Sequence, residues 1–265
     1  LPRDEELIGI KRRLEDARED LCETVELFSA LDIPKFERPT EYVSLHVAGN
    51  GEYAFYDGEL VSNLQPDPTP VRDYRTRVLE SIVPHSTAKH VRSPNSTTYM
   101  VGALARFNNN HAQLHSEAKK TARILGLEPI CGNPFHNNTA QLVECVHCTE
   151  HSIELMDLLL SRGLHEEAPV RPQRFGTGAG AAEVPRGTLF HEYALDRDGA
   201  IVEANLVIPT GQNLANIEAD MRAMLPEMLA ADWSRETITL RLEMLIRAYD
   251  PCISCATHFL DIDWE

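Results

Sequence analysis

The sequence predicts an α-rich α+β fold, a core of long bundled helices with small antiparallel strand pieces beside it. Three observations carry this expectation. Apolar residues recur every three or four positions over several long stretches. Two short β-like runs flank turn-forming residues. The composition is that of an ordinary globular chain, 43% hydrophobic and 25% charged over 265 residues, a length that fits one large domain spanning residues 1–265.

The elements follow in order. Leu7, Ile10, Leu14, Ala17, Leu21, Val25 and Phe28 mark one stripe of an amphipathic helix over Asp4–Ala30, and Pro34 and Pro39 end it. Glu41–Ala48 and Tyr53–Asn63 read as strands joined at Gly49-Asn50-Gly51, and Gln65–Pro70 as a proline-rich loop. Helical spacing returns at Val71–Ile82, Val101–Leu125 and Asn138–Leu160. The glycines and prolines of Glu167–Gly187 predict a long irregular loop. Thr188–Tyr193 and Ile201–Ile208 flank Asp196-Arg197-Asp198-Gly199 as a second hairpin, and helices follow over Asn213–Ala230 and Ser234–Tyr249, with Ser234 as N-cap.

Charge and composition exclude several functions. With Asp+Glu 41 against Lys+Arg 25, the net charge of −16 disfavours nucleic acid as a partner, because a phosphate backbone requires a basic face. No apolar run is long enough to span a bilayer. Six cysteines are too few for a disulfide scaffold, which places the chain in a reducing, cytoplasmic setting where thiolate chemistry is available. The opening Leu1-Pro2-Arg3 carries neither an initiator Met nor a leader, so the chain reads as a trimmed product or a piece of a longer protein.

The sharpest local signal is Asp250-Pro251-Cys252-Ile253-Ser254-Cys255-Ala256-Thr257-His258. Pro251 disfavours helix at Asp250, so the preceding helix stops there. Two thiols and a histidine at this spacing suit zinc, iron–sulfur, copper(I) or nickel; the alternative is a pair of small buried cysteines. A second C-x-x-C, Cys145-Val146-His147-Cys148 with His151 beyond it, lies inside a strongly periodic helix and reads as packing. Glu183-Val184-Pro185-Arg186-Gly187 pairs a close-approach backbone with a fork of donors for an anion, and Thr210 stands where a strand gives way to a helix N-terminus.

In this order, the glycine-rich run into Glu-x-Pro-Arg-Gly, the Ile208-Pro209-Thr210 strand end and the terminal Asp-Pro-Cys-x-x-Cys-x-x-His resemble the large, catalytic subunit of nickel–iron hydrogenases. The run Ala204–Asn213 resembles the cofactor-coupled branch of that family, whose members pass electrons to NAD(P), a deazaflavin, sulfur or heterodisulfide-reducing partners. The resemblance implies the large-subunit fold and reversible splitting of dihydrogen into protons and electrons, which leave through an iron–sulfur small subunit toward electron-acceptor subunits. It also implies residue roles. Cys252 matches a terminal nickel ligand, and Cys255 a thiolate bridging nickel to an iron that carries cyanide and carbon monoxide. Arg186 and Thr210 match donors to the cyanides, Pro185 and Pro209 the walls around them, and His258 a ligand of a magnesium or iron ion. The tail Phe259–Glu265 past His258 implies either an unprocessed precursor, whose extension a maturation protease removes, or a member that keeps a short tail. The family's first C-x-x-C pair, in an Arg-x-Cys-Gly-x-Cys context, has no counterpart in residues 1–265, so the chain is expected to lack an N-terminal segment and to be inactive alone. Two rival readings are a non-catalytic scaffold subunit of a respiratory-type complex and a zinc module built on Cys145, Cys148, Cys252 and Cys255.

Overall fold

The computed structural model describes residues 1–49, 51–169 and 175–256. The elements run α1 (Asp4–Ser29), β1 (Glu41–His46), β2 (Glu59–Ser62), β3 (Gln65–Thr69), β4 (Leu79–Ser81), β5 (His90–Arg92), β6 (Tyr99–Met100), α2 (Ala103–Asn110), α3 (Ser116–Ile124), α4 (Asn137–Arg162), β7 (Gly176–Val184), β8 (Gly187–Leu195), β9 (Ile201–Val207), α5 (Pro209–Ala230), α6 (Arg235–Ala248) and α7 (Ile253–Ala256). None of the described helices is long and apolar enough to cross a membrane.

The long helices stand where the periodicity puts them. α1 lies antiparallel to α4, clasped by Lys11 to Asp157 at 2.5 Å and by the two-pronged Arg18–Glu150 pair at 2.7 and 2.5 Å. Only Leu7 and Val25 of α1 are buried, and Ile10 of the expected stripe is exposed. The main core gathers Leu104 and Phe107 of α2, Ala140 and Val143 of α4, Met224 and Met228 of α5, and Ile238, Leu242 and Leu245 of α6. Ser234 caps α6 by accepting the Thr237 N–H, as its sequence position predicts.

The strands depart further from the expectation of two antiparallel pieces. Among the described residues there are three sheets, ordered β3-β2-β1-β6, β4-β5 and β7-β8-β9, and β6 joins β1 in parallel. β1 pairs antiparallel with β2, Val43 opposite Ser62, but only 59–62 of the expected second strand is extended, and the connection is far longer than a tight turn; Asn50 of that turn lies outside the described residues. Gln65–Thr69 is a strand despite its prolines because it sits at the sheet edge, where a missing N–H costs no ladder bond. Val71–Thr76 is a 3-10 turn leading into β4, not a helix to Ile82. Val101–Leu125 breaks into α2 and α3, with a 3-10 turn at His111–Gln113 between them.

The largest correction concerns the glycine-rich run. Gly176–Val184 is not loop but the outer strand of a regular three-stranded sheet, paired with β8 from Gly176↔Leu195 to Val184↔Gly187. Glycines at 176, 178 and 180 share one side of the strand, so the alternation is there but without side chains to reveal it. Residues 170–174 of the expected loop lie outside the described residues. The β8–β9 hairpin turns at 196–199 as its sequence predicts. A second apolar cluster, with Tyr74 stacked on Phe190 at 4.8 Å between ring centroids, fills the space between these strands and β1.

One buried side chain ties the helical core to the sheets. Arg106 of α2 is 1% exposed. Its Nε and Nη2 donate to both carboxylate oxygens of Glu144 on α4 at 2.6 Å each, and its Nη1 donates to Glu183 of β7 at 3.0 Å. The same guanidinium donates to the carbonyls of Val184 and Pro185 at 2.9 and 3.1 Å. Glu144 also accepts from the Tyr53 hydroxyl, and Glu183 from the Leu45 N–H and the Thr188 hydroxyl. Two predictions arise here. Arg106→Met leaves Glu144 and Glu183 buried without their counter-charge and should lower unfolding free energy by about 3–5 kcal/mol, read from the urea midpoint. His147 of α4 is buried beside Tyr53, accepts the His115 N–H, and is held at a pKa of about 4 by burial and by His151. A depressed histidine favours the fold while neutral, so this contribution is complete above the unfolded-state value near 6.5 and is lost as pH falls toward 4. His147→Gln should flatten the stability–pH curve over that interval.

Candidate metal centre

Four segments meet at one edge of the molecule. The first is the turn between β7 and β8, where Pro185 and Arg186 sit. Gly187 has φ +136°, and a Cβ there would lie 2.3 Å from Val101 Cγ2; Gly102, with φ +117°, would meet the Arg186 carbonyl at 3.2 Å. Both residues must be glycine for the 101–102 and 186–187 backbones to lie against each other.

The second segment is the start of α5, which begins at Pro209, four residues earlier than its periodicity suggests. Proline at the first helical position loses no bond, since that N–H has no partner within the helix. The first turn is then fastened by buried amides. Gln212 donates to the Thr188 carbonyl at 2.6 Å, and Asn213 both accepts the Val101 N–H at 2.9 Å and donates to the Val101 carbonyl. Thr210 is 3% exposed. The third segment is the start of α4, from which Gln141 reaches across to Asp250 at 3.0 Å.

The fourth is the chain after α6. Tyr249, 2% exposed, donates to Asp220 at 2.6 Å and accepts from Asn216 at 2.7 Å, which fixes the end of α6 against α5. Asp250 then takes φ +49°, the left-handed conformation that aspartate tolerates better than most residues, and Pro251 follows, so the helix stops where the sequence says it should. The turn is held by Arg186, whose Nε donates to the Asp250 carbonyl at 2.6 Å and whose Nη2 reaches its carboxylate at 3.3 Å. The Cys252 N–H donates to the Thr210 hydroxyl oxygen at 3.2 Å. A hydroxyl that accepts in this way keeps its own hydrogen to donate elsewhere.

Arg186 and Thr210 are therefore bonded to the segment that carries Cys252 and Cys255. Cys252 and Cys255 form a disulfide with their Cα atoms 5.2 Å apart, across the start of the short helix α7. Their sulfurs face one another and Cys255 is exposed. Reduction of that bond presents two soft, anionic donors side by side, with a guanidinium and a hydroxyl at hand. Two soft thiolates with polar donors beside them suit nickel among the first-row metals. Pro209 is buried under the site, whereas Pro185 is exposed beside it and its carbonyl serves Arg106. His258 and the tail from Phe259 lie outside the described residues.

Asp250 is the site residue that sequence reasoning missed. It was legible only as the residue that ends a helix before proline, and its bonds to Arg186 and Gln141 join positions 64 and 109 residues away. The second C-x-x-C stands mid-helix in α4, as its periodicity predicts. Both of its cysteines are exposed on the helix surface rather than packed inward as expected, and their thiol pKa values are raised by the partial desolvation of the helix face and by Glu144, Cys148 up to about 11. Among the described residues Cys145 and Cys148 do not converge with Cys252 and Cys255, so the four-cysteine zinc site does not form.

A family model described as nickel-dependent hydrogenase matches residues 50–258. The chain is 32% identical to sulfhydrogenase 1 subunit alpha of Pyrococcus furiosus over 97% of its own length and 59% of the relative's. It is 39% identical to NAD-reducing hydrogenase HoxS subunit beta of Cupriavidus necator over 128 residues, 48% of this chain and 26% of that one. The crystal structure of an NAD+-reducing NiFe hydrogenase in the H2-reduced state superposes with a TM-score of 0.81 at 28% identity, over 97% of this chain and 60% of that one. The chain thus spans 59% and 48% of the two sulfhydrogenase alpha subunits it matches.

The Thr210–Cys252 bond is open to direct test. Thr210→Val removes the acceptor and should weaken local protection by about 1 kcal/mol, so amide exchange at Cys252 quickens roughly fivefold. Thr210→Ser should restore the original rate.

Proposed function

Because the chain belongs to the nickel-dependent hydrogenase family, we propose that it supplies part of the nickel–iron centre of a hydrogenase and serves the reversible conversion of dihydrogen into two protons and two electrons. The observation that supports this most is that Arg186 and Thr210 both bond to the Asp250–Cys252 backbone, the segment that carries the paired sulfurs of Cys252 and Cys255. When bound, the metal pair supplies the activation of dihydrogen and the redox capacity, which side chains alone lack.

The residues divide the remaining work. Cys252 would hold nickel as a terminal thiolate and Cys255 would bridge to the iron. The backbone of Cys252 is kept in place by Thr210, whose hydroxyl hydrogen is left for one of the iron's cyanide ligands. Arg186 has Nε and Nη2 committed to Asp250, and its Nη1 has no partner among the described residues; that group would donate to the other cyanide. Asp250 thus acts as a positioning residue, orienting the guanidinium through both its carbonyl and its carboxylate. Pro209 and Pro185 would bound the space around the small ligands, and His258 would hold a magnesium or iron ion.

The remaining two thiolates would come from residues outside 1–265, and the 265 residues would form one domain of that larger assembly. Electrons would leave to an iron–sulfur small subunit and acceptor subunits, and a maturation protease would act on the tail after His258. The setting would be cytoplasmic. Replacement of a thiolate tests the reading: in the protein purified with its partner subunits, Cys252→Ser should abolish both stoichiometric nickel and dihydrogen-dependent dye reduction. Full nickel and activity in that variant would overturn it.

A further inference from the structure

Away from the thiolates, among the described residues one cluster of three metal-ligating groups stands out. His85 lies in the connection between β4 and β5, His90 opens β5, and Glu218 projects from α5. His85 Nε2 is 2.7 Å and His90 Nε2 3.6 Å from the same oxygen, Glu218 Oε1. The ligand atoms all lie within 4.8 Å of one another. We propose that His85, His90 and Glu218 form a zinc-binding site that fastens the β4–β5 connection to helix α5.

The geometry is close to what zinc requires. Bonds of about 2.0–2.1 Å to nitrogen and oxygen set tetrahedral ligand atoms about 3.3 Å apart, and the two observed separations bracket that value. Two imidazoles and a carboxylate form a borderline donor set that suits zinc, and three protein ligands leave a fourth position for water. The carboxylate is already oriented for binding through one oxygen. Arg222, one turn along α5, donates to Oε2 at 2.9 Å and leaves Oε1 to the imidazoles. His90 and Glu218 have side chains 9% and 28% exposed, whereas His85, 59% exposed, approaches the same oxygen from the solvent side. The two rings already meet edge to face with centroids 5.4 Å apart, so both are confined to this corner.

An ordinary histidine–carboxylate pair would need only one of these imidazoles. Here a second ring, on a strand, is aimed at the same oxygen from another direction. The consequence is mechanical. α5 carries Thr210 in its first turn and Glu218 two turns later, so an ion held by Glu218 pins the helix that presents the Thr210 hydroxyl to a hairpin loop.

The test uses the full protein purified from its own cells, loaded with zinc sulfate, desalted and measured for zinc and nickel together. One zinc per chain is expected beyond any metal at the thiolates. It should bind roughly tenfold or more weakly in His85→Ala and in Glu218→Gln, with nickel unchanged in both. Cobalt(II) used as a probe should give ligand-field bands without thiolate-to-cobalt charge transfer. His85 is exposed and its replacement does not endanger folding, so an inconclusive result from Glu218→Gln leaves the question decidable. Failure to retain zinc, or zinc retained equally by His85→Ala, would overturn the proposal. Neither outcome bears on the thiolate site, which is read by its nickel.

Discussion

A guanidinium placed inside a protein core is a liability unless every donor is met, and the structure depends on how Arg106 is met. Its ordinary fate would be exposure, since a buried charge loses hydration that a single partner does not replace. Here two carboxylates and two carbonyls surround it, drawn from α4, β7 and the turn beyond β7. Such a network is not needed for net stability, because well-packed apolar residues achieve as much. What it specifies is geometry. The carbonyls of Val184 and Pro185 are fixed in direction, and the next residue in the chain is Arg186.

The same logic repeats outward from that point in neutral form. Gln212, Asn213, Asn137 and Asn216 are all nearly inaccessible, and each bonds backbone or side chains on another element. A buried amide left unpaired costs more than a formed bond returns, so each restricts its neighbours to one arrangement. Asn137 accepts the Leu104 N–H at 3.0 Å and donates to the Ala248 carbonyl at 2.9 Å, joining α2 to the end of α6. By this chain of contacts the segment that bears Cys252 is located relative to Arg186 without either residue being buried. The rigidity lies behind the site rather than within it.

How much of this could be read from the sequence varies with the range of the interaction. α1, α4, α5 and α6 announce themselves because helical periodicity is local, and the Asp250-Pro251 stop is a steric fact about two adjacent residues. Cys252, Cys255, Arg186 and Thr210 stood out in the sequence because their motifs are distinctive. β7 was missed because alternate positions are glycine and offer no apolar pattern, and β3 because prolines argue against a strand unless its edge position is known. Val101–Leu125 keeps its periodicity across a break that only the fold requires, since Asn109 and Asn110 turn to the backbone and Ser44 of β1. Nothing near Arg106 distinguishes it from a surface cation; its partners lie 38 and 77 residues on.

The half-cradle is wet on one side, and that bears on what its charges can accomplish. Cys255 and Ile253 are exposed, the latter 81%, and the Arg186–Asp250 pair has side chains 41% and 36% exposed. In water, two unit charges 4 Å apart interact by only about 1 kcal/mol, against about 4 kcal/mol at the effective dielectric near a protein surface. A donor aimed at a small anion gains in the same proportion when water is removed. Arg186 is therefore held in direction by Asp250 but weakly coupled to any anion until something covers this edge. The positioning network of this chain sets direction, and the cover sets strength. These are separable contributions: one is built into the fold described here, and the other belongs to whatever excludes solvent from Cys252 and Cys255.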